Sequence, residues 1–557
     1  MENKSLAKTH PIQTYRLNEN SVGYAEKIDN CWNYSIYTMN HTVAELNEYT
    51  AGYIQGKLQG QEMIKASRNN TWKNLYLCDT SHTYPRSIPP GEKDLVKTEE
   101  VLKDNHTFMN EWIVKNKDKK VAVGILRLHM RMLGIYEGAM DFPEPEIEDL
   151  SDRKDAVPSL LAKMKKLWEQ PLGYGDAPLS IVDVYFINAQ MDVADIMAQS
   201  RESHYGDFKS DHCSAFVKRV GNDVFWTHNS WCGYLSQSMT ISYCIYDYDC
   251  RKEEKDRIDF VTQNCYCAGQ FGSNMDFGFN KYGICFNETT HRYSVGIPEK
   301  NGVWLCWRAA AAEMFAKSID EFYEYLTVDN TGTYLNGYML IDANTNETAL
   351  IEMSYQRFVL FRSNGKDLKV TDSTGVPVSI GDYDPELITP TYILGINYPI
   401  SKKVAEDLQS TDNRPMRRVQ FKAQIDTVKD IQTAKDLITY VGKNAQGKEE
   451  PLSIYGRWDL GYGTTDYPKT IPDGAVDAKV FSAQKVKELL AQLQFKSNGE
   501  GGKKSFWMLY GTAKVNGKPF IWSEAQQEWQ TLKEDSSIDF IPNKLEGAWN
   551  ETNLYMD

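Results

Sequence analysis

The 557-residue sequence has neither cysteine nor histidine after Cys306, although it contains ten cysteines and nine histidines. All of these residues therefore lie in the first 306 positions. Random placement would produce such a distribution roughly once in 10⁵ chains, so any thiol or imidazole chemistry belongs to this part of the chain.

The chain also lacks an excess of positive charge and a long apolar run. Its 62 basic and 76 acidic residues give a net charge of −14 at pH 7, which disfavours nucleic acid as a partner. The most apolar stretch, residues 121–136, contains Arg127, His129 and Arg131, so we expect no transmembrane segment.

Several catalytic motifs are missing as well. The sequence has no Gly-x-Ser-x-Gly elbow, no Gly-x-x-x-x-Gly-Lys-Ser/Thr loop and no His-Glu-x-x-His pair. These absences disfavour an α/β-hydrolase, a P-loop enzyme and a zinc peptidase. The closest cysteine pair, Cys265 and Cys267, lacks the two-residue spacing of zinc and redox sites. We therefore expect no metal and no cofactor.

Hydrophobic periodicity predicts an α+β protein whose first 200 residues are mainly helical. The predicted helices cover residues 41–68, 94–117, 121–136, 158–170, 305–325, 426–441 and 482–493. The predicted strands are two runs around a turn at 221–223, followed by 238–248, 257–263, 282–288, 337–343, 348–353, 358–362, 505–511 and 519–523.

Cys213 begins the first predicted strand, and His228 lies on the second strand of the same hairpin. A two-residue loop would place position 213 opposite 230, with His228 diagonal to it on the same face. A three-residue loop would instead place Trp231 opposite Cys213. The pattern leaves this register open, and an inert buried cysteine is the ordinary alternative.

Ordered sequence blocks around this hairpin resemble the phospholipase B-like family of lysosomal or secreted N-terminal-nucleophile hydrolases. The most specific blocks are DHCSAFVK at 211–218 and THNSW at 227–231. The others are AGYIQG at 51–56, ETT at 288–290, TGTYLN at 331–336, NYP at 397–399, RRVQF at 417–421 and DGAVDAKV at 473–480.

This resemblance implies a fold and a division of the chain. The expected fold is the four-layer αββα sandwich of N-terminal-nucleophile (Ntn) hydrolases. Self-cleavage at the His212–Cys213 bond would separate an N-terminal segment, residues 1–212, from a nucleophile-bearing chain, residues 213–557. The two fragments would stay associated in one compact domain.

The resemblance also implies a set of site residues. Cys213 would be the nucleophile, and its freed α-amine would act as the base for its own thiol. The remaining catalytic residues would be His228, the oxyanion donor Asn397 and Arg417. Trp231 and Thr290 would line the site. The pattern leaves open whether Arg414, Arg417 or Arg418 is the site arginine.

The expected reaction is removal of acyl groups from lipids, by ester or amide hydrolysis. An amidase or peptidase-like hydrolase of N-acyl or short peptide substrates is the alternative in the same class. A catalytically quiet luminal lipid-binding protein is the alternative from another class.

The expected location is lysosomal or secreted, with a leader that this chain does not show, or cytoplasmic if the N-terminus is genuine. Eight glycosylation sequons weakly favour a secretory lumen. They begin at Asn3, Asn33, Asn40, Asn69, Asn105, Asn287, Asn346 and Asn550.

Overall fold

The computed structural model describes residues 12–77, 91–143, 156–199, 213–457 and 473–554, apart from short gaps within these ranges. The gaps are 19–20, 29–30, 40–43, 234–239, 248–257, 266, 272–275, 292–300, 413–414, 444–446, 448–449, 451, 495–502, 511–513, 516–517, 522, 524–543 and 546–548.

The described part of the chain before position 213 contains three strands followed by six helices. They are β1 (Gln13–Asn18), β2 (Ser21–Ile28), β3 (Cys31–Met39), α1 (Ala44–Leu77), α2 (Glu92–Lys115), α3 (Lys120–Ala139), α4 (Ala156–Leu167), α5 (Ile181–Asn188) and α6 (Gln190–Gln199).

The part from 213 onward is rich in strands. Its first half contains β4 (Cys213–Val220), β5 (Asp223–Gly233), β6 (Thr240–Asp247), β7 (Ile258–Cys265), β8 (Phe277–Phe279), β9 (Ile284–Thr290), α7 (Leu305–Phe315), α8 (Ile319–Thr327), β10 (Asn336–Asp342), β11 (Glu347–Met353), β12 (Phe358–Ser363) and β13 (Leu368–Asp372).

The second half continues with β14 (Ile388–Thr389), β15 (Tyr392–Gly395), α9 (Lys402–Asp407), α10 (Pro415–Gln424), α11 (Ile431–Ile438), β16 (Leu452–Ser453), β17 (Gly456–Arg457), β18 (Asp473–Ala475), β19 (Asp477–Ser482) and α12 (Ala483–Gln494). The last described strands are β20 (Lys503–Tyr510), β21 (Lys514–Val515), β22 (Lys518–Ile521), β23 (Lys544–Leu545) and β24 (Trp549–Leu554).

Two antiparallel sheets pack face to face at the centre of the molecule. Sheet I has the strand order β13-β12-β11-β10-β9-β8, and sheet II has the order β14-β15-β4-β5-β19-β20-β24. Trp226 of sheet II stacks on Phe277 of sheet I at 5.4 Å between ring centroids. Asn287 of sheet I donates a hydrogen bond to the carbonyl of Thr227 in sheet II, at 2.7 Å.

Helices cover the outer face of each central sheet. On sheet I, the α8 residue Phe322 packs against Phe286 and Tyr338, with ring centroids 6.2 and 5.9 Å away. On sheet II, Asn229 donates to the carbonyl of Ile438 at the end of α11, and α12 also packs on β5 and β19. The order helix, sheet, sheet, helix confirms the predicted four-layer αββα arrangement.

A third sheet adds strands to the mainly helical N-terminal segment. Strands β1, β2 and β3 join β6 and β7 in the order β1-β2-β3-β6-β7, and β3 pairs with β6 in parallel. Alternation in β3 was the missed signal, since Trp32, Tyr34 and Ile36 recur at a spacing of two. These three strands were not predicted, whereas the rest of the described N-terminal segment is mainly helical, as predicted.

Two predicted helices also have different bounds. The helix expected at 305–325 is two helices, because Ser318 caps α8 by accepting the backbone N–H of Glu321. The helix expected at 426–441 is shorter, since Asp430 caps α11. The preceding helix α10 was not predicted.

The helices α1 and α3 cross at backbone contact through four glycines. Gly52 and Gly56 lie on α1, and Gly134 and Gly138 lie on α3. A Cβ atom at Gly134 would lie 2.1 Å from the carbonyl oxygen of Tyr49, and one at Gly52 would lie 2.1 Å from that of Arg131. Only glycine therefore allows the two helices to approach this closely.

The crossing is also the place where buried charges join the helices. Glu48 of α1 pairs with Arg127 and Arg131 of α3 at 3.0 and 3.4 Å. Gln55 of α1 accepts two further hydrogen bonds from the Arg131 guanidinium. Such pairs need fixed geometry, because a buried ion that loses its partner is costly.

Four of the eight sequon asparagines are buried in the fold. Asn33, Asn69, Asn105 and Asn287 are at most 8% exposed, and Asn105 hydrogen-bonds to the carbonyl of Gly302 and the hydroxyl of Tyr185. A bulky hydrophilic glycan cannot occupy such positions in the folded chain. The sequon count therefore no longer favours a secretory lumen.

The segment before position 213 is bound to the rest by polar contacts as well as by the shared core. The Asp192 carboxylate accepts the backbone N–H groups of Leu305 and Cys306, which begin α7. Asp195 accepts the backbone N–H of Tyr334 at 2.6 Å. One hydrophobic cluster extends from Ile36 to Leu489.

Among the helices that the structure describes, none combines the length and hydrophobicity that a bilayer crossing requires.

The glycine crossing predicts a strong effect of the smallest possible substitution. Gly134→Ala should lower the melting temperature sharply or prevent folding, because the new methyl group would overlap backbone atoms that cannot rotate away. Gly91→Ala is the control, since a Cβ there would be no closer than 3.5 Å to another atom. Thermal unfolding of both variants, followed by circular dichroism, is the measurement; equal melting temperatures would contradict the prediction.

Candidate active site

The hairpin of β4 and β5 has the two-residue loop, and this fixes which residues face Cys213. Cys213 pairs with Ser230, and Ala215 pairs with His228. Gly221 opens the loop with φ at 57°, a conformation that glycine adopts without strain. The register left open by the sequence is thereby settled, with His228 diagonal to Cys213 on one face.

The backbone of Cys213 is held between two of the predicted site residues. Its N–H donates to Asn397 Oδ1 at 3.4 Å, and its carbonyl accepts from Arg417 Nη1 at 2.6 Å. The same Nη1 atom lies 2.9 Å from Asn397 Oδ1. Cys213 is 3% exposed, so this arrangement is enclosed by protein.

Strand pairing and local backbone strain explain the position of Asn397. Strand β15 pairs with β4 so that Gly395 lies opposite Ala215, and two more residues along each strand bring Asn397 beside Cys213. Asn397 has φ at 62°, a left-handed conformation that asparagine tolerates better than most residues. Its Nδ2 donates to the carbonyl of Thr290 at 2.7 Å, which joins sheet I to the site.

The structure places Arg417, rather than its neighbour, at the site. Arg417 donates to the carbonyl of Ile396 at 2.6 Å, and its guanidinium lies 4.6 Å from the centre of the Trp231 ring. Arg418 instead pairs with Asp384 and Asp412. Arg414 and His212 lie outside the described residues.

An acidic residue that was not predicted completes the group around the thiol. Cys213, His228 and Asp276 each place a ligand-type atom within 4.8 Å of those of the other two. His228 Nδ1 lies 3.6 Å from Asp276 Oδ2. All three side chains are buried. The three groups thus converge on one point, where a neutral imidazole beside a thiol can accept its proton.

Asp276 is itself held by a buried ionic group on sheet II. It accepts a hydrogen bond from Ser230 Oγ at 2.9 Å and lies 3.6 Å from Lys479 Nζ. Lys479 also donates to Ser230 Oγ at 2.7 Å and to Asp477 at 2.8 Å. The side chains of Lys479, Asp276 and Asp477 have no exposed surface.

Burial and neighbouring charge determine the protonation states in this group. Burial, with the carboxyl groups of Glu288 and Asp276, raises the pKa of the Cys213 thiol well above its usual range. Burial, with the charge of Lys479, lowers the pKa of His228 well below its usual range. In the uncut chain, the thiol is therefore protonated and the imidazole is neutral at pH 7.

Cys213, His228 and Asp276 also form a possible metal-ligand set. Thiolate, imidazole and carboxylate are all zinc ligands. Lys479 bears on this choice. Burial lowers the pKa of Lys479, but the carboxylates of Asp276 and Asp477 raise it by more, so the side chain keeps its proton. The Lys479 ammonium thus supplies a positive charge 3.6 Å from Asp276. A cation of the protein therefore already occupies the side of Asp276 that a metal ion would need, which weighs against metal binding.

Comparison with known proteins identifies the family. The family model described as Phospholipase B matches residues 25–534. This chain belongs to the phospholipase B family. Its core motifs therefore come from a shared ancestry that extends over most of the described chain.

Individual relatives in the phospholipase B family are distant. The chain is 24% identical to phospholipase B-like 1 of Rattus norvegicus over 30% of this chain and 32% of that protein. It is 23% identical to phospholipase B of Crotalus adamanteus over 54% of this chain and 49% of that protein. It is 22% identical to phospholipase-B 81 of Drysdalia coronoides over 78% of this chain and 73% of that protein.

The chain thus spans about a third to a half of the length of the rat and Crotalus relatives. A solved structure, a mutant of conjugated bile acid hydrolase from Clostridium perfringens, aligns with 62% of this chain and 99% of its own. The identity is 11% and the TM-score is 0.25, so this likeness carries no argument about the site.

Sequence reasoning missed three polar residues of this candidate site. Lys479 stands inside the DGAVDAKV block and Ser230 inside THNSW, so the motifs contained them without showing their role. Asp276 lies outside every quoted block, and its position depends on the packing of sheet I against sheet II. Only the tertiary structure could have revealed it.

Glu352 of β11 supports the segment that follows Asn397. Its two carboxylate oxygens accept the backbone N–H groups of Ile400 and Ser401 at 2.5 and 2.7 Å. Glu352 is 1% exposed. Burial raises its pKa to about 8, although the two N–H groups oppose the shift. The loop that carries Asn397 therefore depends on a carboxyl group that titrates near neutral pH.

Glu352→Gln should alter how stability depends on pH. The folded pKa lies above the unfolded value of 4.5, so unfolding releases a proton between these values and wild-type stability falls as pH rises through the window. The variant lacks this loss. The amount by which the free energy of unfolding of the variant lies below that of wild type should be largest at pH 5 and smaller at pH 9.

Urea unfolding at pH 5, 7 and 9 would measure this difference in the free energy of unfolding. Glu406→Gln, on the exposed side of α9, is the control for removing a carboxyl group elsewhere. A constant difference between wild type and Glu352→Gln across this pH range would contradict the prediction.

Proposed function

We propose that this chain is a cysteine N-terminal-nucleophile hydrolase that cuts itself before Cys213 and then removes acyl groups from lipids. The observation that carries the proposal is the setting of the Cys213 backbone nitrogen. It begins β4 in a central sheet and donates to Asn397, a residue drawn independently from the family motifs. Cleavage of the preceding bond would turn that nitrogen into an α-amine at the site.

The freed amine would supply the base for turnover. An α-amino group has a pKa of about 7.7–8.0, so near neutral pH a sizeable fraction is able to accept the thiol proton. The thiolate of Cys213 would attack the acyl carbonyl, form a thioester and release the alcohol or amine. Water would then hydrolyse the thioester and restore the thiol.

Asn397 would stabilise the negative oxygen of the tetrahedral intermediate. Its Nδ2 carries two hydrogens, and the bond to the Thr290 carbonyl uses one of them. The second can donate to a developing oxyanion, which the neutral amide does not bind strongly in the ground state.

Arg417 has a supporting role in this proposal. Its guanidinium donates to the carbonyls of Cys213 and Ile396 and to the side chain of Asn397. These bonds orient the nucleophile and the oxyanion donor relative to each other. They favour a positioning role over recognition of a substrate carboxylate or phosphate.

The family match favours an acyl ester of a lipid as the substrate, because the relatives are named phospholipase B. Thioester chemistry of this kind also acts on amides, so an amidase or peptidase-like hydrolase is the second candidate function. We infer that the two fragments stay packed together, supported by the contacts of Asp192 and Asp195 with the second fragment. A lysosomal or secreted location stays a prediction.

Self-cleavage can be tested on a denaturing gel. Wild type should give fragments of 212 and 345 residues, and Cys213→Ala should remain at 557 residues because it lacks the attacking thiol. Cys285→Ala is the matched control, since Cys285 is also buried and free but lies in sheet I, whereas Cys213 lies in sheet II. A wild-type chain that stays intact, or a Cys213→Ala chain that splits, would contradict the proposal.

The oxyanion role of Asn397 predicts a loss of turnover in the processed enzyme. Asn397→Gly keeps the backbone conformation accessible and removes only the side chain, so kcat should fall about 10²–10³-fold. Asn346→Gly is the control, because Asn346 has φ at 60° compared with 62° at Asn397 and lies in the turn between β10 and β11.

The assay should compare a phospholipid, a lysophospholipid and an N-acyl amide. Preferential hydrolysis of the lipids supports the leading function, and preferential hydrolysis of the amide supports the second candidate. No turnover of any substrate by cleaved wild type would favour the catalytically quiet lipid-binding protein. Equal turnover by wild type and Asn397→Gly would show that Asn397 is not the oxyanion donor.

A further inference from the structure

We propose that His228, positioned by Asp276, is the base for self-cleavage, whereas the α-amine of Cys213 is the base only for later turnover. This inference rests on the proposed function and adds a second proton acceptor to the same site. It assigns Asp276 a positioning role that no sequence motif indicates.

Self-cleavage needs a base other than the α-amine, because that amine does not exist before the bond is cut. In the uncut chain the Cys213 nitrogen is an amide that donates its hydrogen to Asn397. An amide nitrogen of this kind does not accept a proton near neutral pH. The thiol is also buried, so its deprotonation by bulk hydroxide is disfavoured.

His228 is the neighbouring group with the right geometry. Its ring nitrogen, the Cys213 sulfur and an Asp276 oxygen lie within 4.8 Å of one another. The 3.6 Å separation of His228 Nδ1 and Asp276 Oδ2 is longer than a hydrogen bond. Catalytic contacts are often this loose before the reacting groups engage.

Asp276 is fixed well enough to orient the imidazole. Ser230 Oγ and Lys479 Nζ hold its carboxylate from sheet II, at 2.9 and 3.6 Å. Lys479 is anchored in turn by Asp477. A proton that moves from the thiol to His228 creates an imidazolium, and the nearby carboxylate of Asp276 stabilises that charge.

Self-cleavage needs no reactant other than the water that hydrolyses the thioester in the last step. His228 takes the thiol proton, and the thiolate attacks the carbonyl carbon of residue 212. The bond from that carbon to the Cys213 nitrogen breaks as the imidazolium returns the proton to nitrogen, which leaves a thioester and a free α-amine. Water then cleaves the thioester, giving a carboxylate at residue 212 and the thiol of Cys213.

The test separates self-cleavage from turnover in the full-length chain. Rates of self-cleavage are measured with the natural sequence. For turnover, the same variants carry the factor Xa sequence Ile-Glu-Gly-Arg in place of residues 209–212, so that the protease exposes Cys213 even where self-cleavage fails. The probe is the lipid or amide that cleaved wild type hydrolyses.

Asp276→Asn should slow self-cleavage by at least about 10²-fold, while its turnover after factor Xa cleavage should fall by a clearly smaller factor. Asp426→Asn is the matched control, because Asp426 is an exposed acid paired only with Lys218 among the described ion pairs. It should change neither rate. His228→Gly should lose self-cleavage and regain part of it when imidazole is added, which a merely structural role would not produce.

Self-cleavage of Asp276→Asn at the wild-type rate would overturn the proposal. Equal losses of both rates in Asp276→Asn, or no rescue of folded His228→Gly by imidazole, would also overturn it. These outcomes differ from failure of the proposed function, in which wild type neither cuts itself nor hydrolyses any substrate after factor Xa cleavage.

Discussion

The rest of the site depends on two hydrogen bonds of the Cys213 backbone, whose carbonyl accepts from Arg417 and whose N–H donates to Asn397. They join three separate parts of the chain: strand β4, the segment after β15 and helix α10. Each part is fixed by its own packing, so the folded chain itself orients Cys213, the proposed nucleophile. The Arg417 guanidinium also lies 4.6 Å from the centre of the Trp231 ring, a cation–π contact that helps to hold it in place.

Below this arrangement lies a buried group of charges that stability alone does not explain. Lys479, Asp276 and Asp477 are removed from water together, and desolvation of such groups is expensive even when they are paired. Buried and paired charges in a reactive setting of this kind are found at functional sites as well as in structural ion-pair networks. Their position beside the thiol and His228 suits the proton transfer that we propose, because Asp276 places a carboxylate next to the imidazole.

Much of the site could be predicted because its chemistry is encoded in short local blocks. Cys213, His228 and Trp231 belong to one hairpin, and the turn at Gly221 brings its two strands together. Asn397 and the region of Arg417 followed from ordered motifs. The choice between Arg417 and Arg418 could not be predicted from the sequence. Neighbouring residues on a helix point in different directions, and only packing shows which of them is buried.

The sequence by itself determined the α+β class, the residue types of the site and the family resemblance, because periodicity and motifs are local properties of a chain. The tertiary structure decided the hairpin register, the third sheet built from β1 to β3, and the placement of Asp276 beside His228. These features depend on contacts between residues far apart in the chain, and a strand's pattern does not specify which distant strand will cover it. The same packing buries Asn105 and Asn287, so the number of sequons no longer supports a secretory lumen.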